Sequence, residues 1–94
     1  MNKAEIWELF SLEGRVAIIT GGAGKLGIKH AEILNAAGAR VVSFDIVKND
    51  SLSGIVEQIV VDITKRMDVF KTVDKIAARY GRLDILINNA AFNP

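Results

Sequence analysis

Four glycines within seven residues are the most informative feature of this sequence. They belong to the segment TGGAGKLG, residues 20–27, which follows an apolar run and precedes a pattern typical of a helix. Glycines allow the main chain to turn sharply and to lie close to a ligand. The start of a helix adds free N–H groups and the positive end of a dipole. The chemistry expected of this turn is therefore binding of a phosphate or diphosphate, and tight helix–strand packing is the alternative.

Two carboxylates are predicted at the same edge of the fold. Asp45 closes the second predicted strand, 18 residues beyond Gly27, and Asp62 lies at the end of the third. A carboxylate at the position of Asp45 accepts hydrogen bonds from the ribose hydroxyls of an adenosine and repels a 2′-phosphate, which favours NAD over NADP. The alternatives are that Asp45 merely caps a turn, and that Asp62 caps a helix beginning near Lys65.

The remaining reactive side chains form no catalytic or metal-binding set. His30 is the only histidine, there is no cysteine, and Tyr80 falls on the apolar stripe of its predicted helix. We therefore predict no metal site and no catalytic residue within these 94 residues.

Apolar runs separated by glycines and polar turns predict alternating strands and helices. Strands are predicted at 15–20, 39–46, 59–63 and 83–88, with helices at 25–37 and from about 65 to 80. The polar segment 47–58 is close to the minimum length for a crossover, so only a short or poorly formed helix is expected there. The order predicts an α/β fold with a parallel sheet and right-handed crossovers.

Helical periodicity predicts the faces that pack on this sheet. Residues 3–10 are expected to form one or two helical turns that cover the bottom edge of the sheet, or else a partner-binding helix that presents Trp7. Thr64 is expected to cap the last helix. The sheet-facing residues predicted for the first long helix are Leu26, Ile33, Leu34 and Ala37, and those for the second are Met67, Phe70, Val73, Ala77 and Tyr80.

Composition limits the classes of protein to which the chain can belong. Half of the residues are hydrophobic and the net charge is +1, which excludes a basic nucleic-acid face and a polybasic membrane patch. No apolar run approaches the roughly 20 residues that span a bilayer, and the N-terminus has no secretory pattern. We expect a soluble, cytoplasmic chain with an N-terminal extension at 1–14 and a partial dinucleotide-binding domain at 15–94.

Together, the glycine turn, Asp45, Asp62-Ile63 and the segment Asn88-Asn89-Ala90-Ala91 resemble the short-chain dehydrogenase/reductase family. The likeness covers about residues 10 to 93. It implies that the turn holds a diphosphate, that the acid after the second strand holds the adenosine ribose, and that the third-strand segment contacts adenine. It further implies that the Asn-Asn-Ala segment lines the cofactor cleft. The implied cofactor-binding residues are Gly21, Lys25, Leu26, Gly27, Asp45, Asp62, Ile63, Asn89 and Ala90.

The sequence departs from the family pattern at several positions. Lys25 replaces the middle glycine of Thr-Gly-x-x-x-Gly-x-Gly, and a basic residue there often accompanies NADP, but the charge of Asp45 favours NAD. Ala91 replaces the glycine of Asn-Asn-Ala-Gly, and the crossover at 47–58 is shorter than usual. The family's serine and Tyr-x-x-x-Lys follow that segment and have no counterpart, because Tyr80 is followed by Asp84 four residues later.

The resemblance leads to a specific expectation. The chain is the N-terminal β-α-β-α-β-α-β half of a Rossmann-like domain with strand order 3-2-1-4, truncated and inactive by itself. The parent protein is expected to be a homo-oligomeric NAD-dependent oxidoreductase that interconverts a secondary alcohol and a carbonyl. The alternatives are a non-catalytic dinucleotide-binding module and an interaction domain that uses its exposed fourth strand. The substrate is not predicted.

Overall fold

A parallel sheet with helices on both faces forms the centre of the molecule. The computed structural model describes residues 1–90. The strands lie in the order β3-β2-β1-β4 and are all parallel, which confirms the predicted Rossmann-like half with strand order 3-2-1-4. The elements in chain order are α1 (Lys3–Phe10), β1 (Val16–Thr20), α2 (Lys25–Ala36), β2 (Arg40–Asp45), a 3-10 helix (Asp50–Leu52), β3 (Glu57–Val60), α3 (Arg66–Tyr80) and β4 (Ile85–Asn88).

The strand β1 is buried on both of its faces. All of its residues from Val16 to Thr20 are buried, as expected for a continuous apolar run in the middle of a parallel sheet. Side chains alternate between two cores. The core under α3 contains Ile18, Val42, Phe44 and Ile76, and the core under α2 contains Ile19, Ala31, Val41 and Leu52.

Small residues form the sheet-facing side of α2. Gly27 and Ala31 are buried, and Ile28 and Leu34 pack against the core. Leu26 and Ile33 are 61% and 67% exposed, so the prediction that they face the sheet is wrong. Gly27 and Ala31 allow the helix to lie close to the strands, and this close approach turns the larger apolar residues outward.

The packing face of α3 also differs from the prediction. Ile76 is buried, and Val69, Val73 and Tyr80 pack against the same core. Met67 and Phe70 are 62% and 49% exposed, so their assignment to this face is wrong. A helical period of 3.6 residues fits the predicted apolar stripe and the observed one equally well. The position of the helix over β2 and β1 selects the one that contains Ile76.

The connection from β2 to β3 contains the 3-10 helix Asp50–Leu52 and no α-helix, as expected from its length. Leu52 is fully buried in the α2-side core and anchors this connection. β3 ends at Val60, earlier than predicted, so Asp62 and Ile63 lie in the turn beyond the strand.

The helix α1 buries none of its residues. Ile6, Leu9 and Phe10 are 45%, 70% and 69% exposed, so the prediction that this helix covers the bottom of the sheet is wrong. The chain first joins the core at Leu12, whose N–H donates to the carbonyl of Ala37 at 2.8 Å. Among the described helices, none is long and apolar enough to cross a membrane.

Candidate functional site

The glycine turn follows β1 directly, and its glycines serve different purposes. Gly21 has a φ of +69°, and a Cβ there would lie 3.0 Å from the Cα of Ala90. A Cβ on Gly27 would lie 2.2 Å from the carbonyl oxygen of Gly21, and one on Gly22 would lie 2.0 Å from the Oγ of Ser43. Tight packing therefore explains Gly22 and Gly27, whereas Gly24 has only an ordinary 3.5 Å neighbour.

Side chains from both sides of the sheet hold the turn in place. On the β4 side, the amide of Asn89 donates to the carbonyl of Gly21 at 3.1 Å. On the β2 side, Asp45 Oδ2 accepts the N–H of Ala23 at 3.0 Å, and Asn49 Nδ2 donates to the carbonyl of Ala23 at 3.2 Å. The main-chain groups of Gly21 and Ala23 are therefore held from two directions.

The first turn of α2 presents free donors. The N–H of Gly24 bonds to the carbonyl of Gly21 at 3.2 Å, and Gly24 occupies the cap position without a side-chain bond. Within residues 1–90, the N–H groups of Lys25, Leu26 and Gly27 have no hydrogen-bond acceptor. Such amides, together with the helix dipole, favour an anionic ligand.

Asp45 lies at the carboxyl end of β2, next to the glycine turn. Besides the bond from Ala23, its Oδ1 accepts the N–H groups of Ile46 at 2.7 Å and Val47 at 3.3 Å. The side chain is half-buried and fixed by three main-chain donors. Asp45 therefore caps a turn, as one alternative predicted. Its Oδ2 accepts only one hydrogen bond from the described residues, so this oxygen can also accept a ligand hydroxyl.

Asp62 approaches the end of β2 because the N–H of Val61 donates to the carbonyl of Asp45 at 2.9 Å. Asp62 Oδ1 accepts the hydroxyl of Thr64 at 2.7 Å and its N–H at 2.9 Å. These two bonds from Thr64 lower the pKa of Asp62. The prediction that Thr64 caps α3 is wrong, because its hydroxyl donates to Asp62, and Lys65 occupies the cap position without a side-chain bond.

Thr20 connects the end of β1 to the segment that follows β4. Its hydroxyl oxygen accepts the N–H groups of Asn89 and Ala90, both at 3.1 Å, and its hydroxyl donates to Asn88 Oδ1 at 3.2 Å. These bonds place Asn89 and Ala90 beside the glycine turn. Ala91, the last residue of the quoted Asn-Asn-Ala-Ala motif, lies outside the described residues.

A cavity of about 370 Å³ at the carboxyl ends of the strands brings most of the predicted residues together. Lys25, Leu26 and Gly27 do not line it. Lys25 and Leu26 are exposed on α2, and Gly27 is buried beneath the turn. The predicted residues in the cavity wall are Gly21, Asp45, Asp62, Ile63, Asn89 and Ala90. Gly24, a member of the predicted glycine turn, also lines the wall. Sequence reasoning missed the wall residues Phe44, Ile46, Val61 and Thr64, which are all close neighbours in sequence of predicted ones.

Tyr80, Arg79 and Glu57 form a hydrogen-bonded cluster that does not line this cavity. Tyr80 donates its hydroxyl to Glu57 Oε1 at 2.5 Å, and Arg79 pairs with the same carboxylate. Burial raises the pKa of Glu57, but the hydrogen bonds from Tyr80 and Arg79 outweigh it and leave the pKa below its usual value. Within residues 1–90, no group of histidine and acidic residues could hold a metal ion.

Comparison with known proteins identifies the family of this chain. A family model described as short chain dehydrogenase matches residues 15–94. The chain is 46% identical over 85 residues to tropinone reductase-like 1 of Erythroxylum coca, covering 84% of this chain and 31% of that protein. The chain thus spans about a third of the length of the curated relatives it matches.

Solved structures share the fold of this chain. The crystal structure of 2-keto-3-deoxy-D-gluconate dehydrogenase from Streptococcus agalactiae matches with a TM-score of 0.85 and 32% identity, over 99% of this chain and 38% of that one. The structure of an NAD⁺-bound xylitol dehydrogenase matches with a TM-score of 0.74 and 29% identity, over 85% of this chain and 34% of that one.

Proposed function

The chain belongs to the short-chain dehydrogenase family, and on that premise we propose that it binds the adenosine and diphosphate groups of NAD for an oxidoreductase. One observation carries the proposal. The glycine turn, with the free N–H groups at the start of α2 behind it, and the carboxylate of Asp45 meet at one cavity. That arrangement offers donors for a diphosphate and an acceptor for ribose hydroxyls at the edge where open α/β sheets bind ligands.

Each predicted residue has a proposed role in holding the dinucleotide. The free N–H groups of Lys25 and Leu26, at the exposed start of α2 beside the cavity, would bind the diphosphate, and the exposed ammonium of Lys25 adds positive charge there. Gly27, buried beneath the turn, would keep the start of the helix close to it. Gly21 keeps the turn open and close to the Asn89-Ala90 side of the cavity. Asp45 would accept the ribose hydroxyls. Asp62 and Ile63 would line the adenine side of the cleft, and Asn89 and Ala90 would line the cleft beside the glycine turn.

The preference for NAD over NADP is proposed on electrostatic grounds. The carboxylate of Asp45 would face a 2′-phosphate at close range, and two negative groups repel each other. Lys25 acts in the opposite direction, but it lies on α2, outside the cavity wall, and its side chain is exposed. Repulsion by a carboxylate fixed in place outweighs attraction by a solvated, flexible ammonium.

The reaction proposed for the parent protein is hydride transfer between a secondary alcohol or carbonyl and the nicotinamide ring, which is the chemistry that bound NAD supplies. This chain would contribute binding and orientation to it. Tyr80, the only tyrosine, bonds to Glu57 and does not line the cavity. No catalytic role is therefore proposed for any of the 94 residues. Reading the nucleotide sequence beyond codon 94 for a Tyr-x-x-x-Lys pattern tests this assignment.

Calorimetry on the 94-residue chain tests the binding proposal directly. NAD and ADP-ribose are expected to bind within about twofold of each other, because the chain would contact only the groups they share. NADP is expected to bind at least tenfold more weakly. Asp50→Ala serves as the control for Asp45→Ala, since Asp50 is an exposed acid of the nearby 3-10 helix. Failure of NAD and ADP-ribose to bind, or binding unaffected by Asp45→Ala, would contradict the proposal.

A second candidate, an interaction module, is favoured by the edge strand. In the described chain β4 pairs with β1 alone, and Leu86 at its centre is 66% exposed. An apolar edge of this kind can add a strand from another polypeptide. Sedimentation separates the two candidates, because a monomer that binds NAD supports the first and self-association without NAD binding supports the second.

A further inference from the structure

Asn49 lies outside the cavity wall and yet contacts the glycine turn. It belongs to the connection between β2 and β3, and its Nδ2 donates to the carbonyl of Ala23 at 3.2 Å. That carbonyl belongs to the same peptide unit as the N–H of Gly24, which bonds to the carbonyl of Gly21 at 3.2 Å. The peptide unit leading into α2 is therefore held at both ends, and Asn49 is the long-range partner.

Asn49 is itself anchored on its other side. Its N–H donates to Gln58 Oε1 at 2.8 Å, and Gln58 Nε2 donates to the Asn49 carbonyl at 3.0 Å, which clamps this residue to β3. Asn49 Oδ1 accepts the N–H and the hydroxyl of Ser51, at 2.9 and 2.8 Å. Each polar group of Asn49 therefore has a partner, and the bonds at Oδ1 and Nδ2 together direct the side chain towards Ala23.

We propose that Asn49 is a positioning residue for the diphosphate-binding turn, an inference that rests on the function proposed above. Asp45 holds the N–H of Ala23 and Asn49 holds its carbonyl, so the two consecutive peptide units before α2 cannot rotate freely. The free N–H groups of Lys25, Leu26 and Gly27 then keep one common direction before any ligand arrives. A turn ordered in advance avoids paying that ordering entropy on binding.

Asn49 is expected to affect the affinity for some ligands and not for others. Loss of Asn49 would weaken the binding of ligands that carry a diphosphate, because the disturbed peptide unit leads into the start of α2. Its loss would leave the binding of adenosine almost unaffected, because the bonds that Asp45 accepts from Ile46 and Val47, and those that Asp62 accepts from Thr64, do not involve the Ala23 carbonyl. Loss of a residue needed only for folding would instead weaken the binding of both kinds of ligand.

Two substitutions separate the Ala23 bond from the other bonds of Asn49. Asn49→Asp keeps an oxygen for Ser51 and the main-chain clamp to Gln58, and it replaces the donor to Ala23 by a negatively charged oxygen. Asn49→Ala removes both side-chain contacts. Ser53→Asp controls for the added charge, because Ser53 is exposed and its side chain has no hydrogen bond within residues 1–90. Titrations at low and high salt complete the control, since charge repulsion at an exposed site is screened by salt.

The first measurement is affinity for ADP-ribose by calorimetry and for adenosine by NMR titration. Both Asn49 variants are expected to bind ADP-ribose about five- to tenfold more weakly at high salt, with adenosine changed by less than twofold. Ser53→Asp is expected to bind ADP-ribose with the same affinity as the unmodified chain at high salt. Equal ADP-ribose affinity in all variants would overturn the role of Asn49 and leave the proposed function standing. An unmodified chain that does not bind ADP-ribose would overturn the proposed function, and the ordering of the turn by Asn49 is then decided by the exchange measurement below.

The second measurement needs no ligand. Hydrogen exchange of the Gly24 amide in the free chain is expected to be at least fivefold faster in Asn49→Asp, while amides in β1 exchange at unchanged rates. This readout tests the positioning of the turn even if no dinucleotide binds. An unchanged exchange rate of the Gly24 amide would contradict the role of Asn49. A uniform increase in the exchange rates of the β1 amides would show a folding defect instead.

Discussion

The main-chain N–H of Ala23 donates a 3.0 Å hydrogen bond to the carboxylate of Asp45, 22 residues further along the chain. This contact joins the glycine turn after β1 to the end of β2. The residue proposed to bind the ribose therefore also holds the turn proposed to bind the diphosphate. A substitution at Asp45 acts on both parts of the site.

Asp45→Ala is expected to weaken NAD binding by roughly 1–3 kcal/mol, because a charge-assisted hydrogen bond to the ribose is lost and the Ala23 amide loses its acceptor. Asp45→Asn is expected to retain more NAD affinity and to raise NADP affinity relative to NAD, because the negative charge is removed and an acceptor oxygen remains. Calorimetry with both dinucleotides measures this. A ratio of NADP to NAD affinity that is the same in all three proteins would disprove the role assigned to the charge.

Gly27→Ala is expected to destabilise the fold by about 1–3 kcal/mol, because the new Cβ would lie 2.2 Å from the carbonyl oxygen of Gly21 and force α2 away from the turn. Gly24→Ala is the matched control. Gly24 has a φ of −79°, which alanine adopts readily, and a Cβ there meets only an ordinary 3.5 Å contact. Urea unfolding should show a change below about 1 kcal/mol for this control. Equal losses in the two variants would contradict the close packing of α2.

Leu52→Ala is expected to cost about 2–5 kcal/mol of stability, because Leu52 is fully buried and is the main apolar anchor of a connection that has no α-helix. Val47→Ala, in the same connection, should cost less than about 0.5 kcal/mol, since Val47 is 57% exposed. Chemical unfolding of both variants provides the measurement. A small loss for Leu52→Ala would mean that the connection is held by its polar contacts alone.

Asp84 is expected to make the fold sensitive to acid. The hydrogen bond from Arg82 and that from the N–H of Val16 lower its pKa from the usual 3.8 to about 2. Because the pKa is lower in the folded state, the stabilisation is complete above about pH 4 and is lost as the pH falls towards 2. Asp84→Asn should flatten this part of the stability curve.

Asp74→Asn serves as the control for the acid experiment, because Asp74 is an exposed residue of α3. It removes the same charge without touching the amide of Val16. Thermal unfolding between pH 2 and pH 6 gives the comparison. If both variants follow the unmodified chain over this range, Asp84 does not govern the acid response.

Local patterns were sufficient to predict the elements and the edge at which the site lies. The glycine turn after an apolar run, Asp45 at the end of a strand, and Asn89 after the last strand are short-range features. Carboxyl ends of parallel strands meet at one edge, so predicting the strands also predicted that these residues converge. The cavity contains both Asp45 and Asn89, as this reasoning requires.

Rotation of the helices could not be predicted in the same way. Leu26 and Ile33 of α2 and Met67 and Phe70 of α3 fit a helical period, yet all four are exposed. Periodicity gives the width of an apolar stripe, but the stripe that faces inward depends on how closely each helix approaches the sheet. For α2 that distance is set by Gly27 against the carbonyl of Gly21.

The sequence by itself determined an alternation of strands and helices, a glycine turn after the first strand and a set of acids at one edge, because each depends on neighbouring residues. Only the tertiary structure decided which groups hold the turn. The bond from Asn49 to Ala23 spans 26 residues and exists because β2 lies between β1 and β3 with a short connection folded back over the turn. Contacts of this kind depend on the register of the strands and on the path of the connection, which no local pattern of residue types contains.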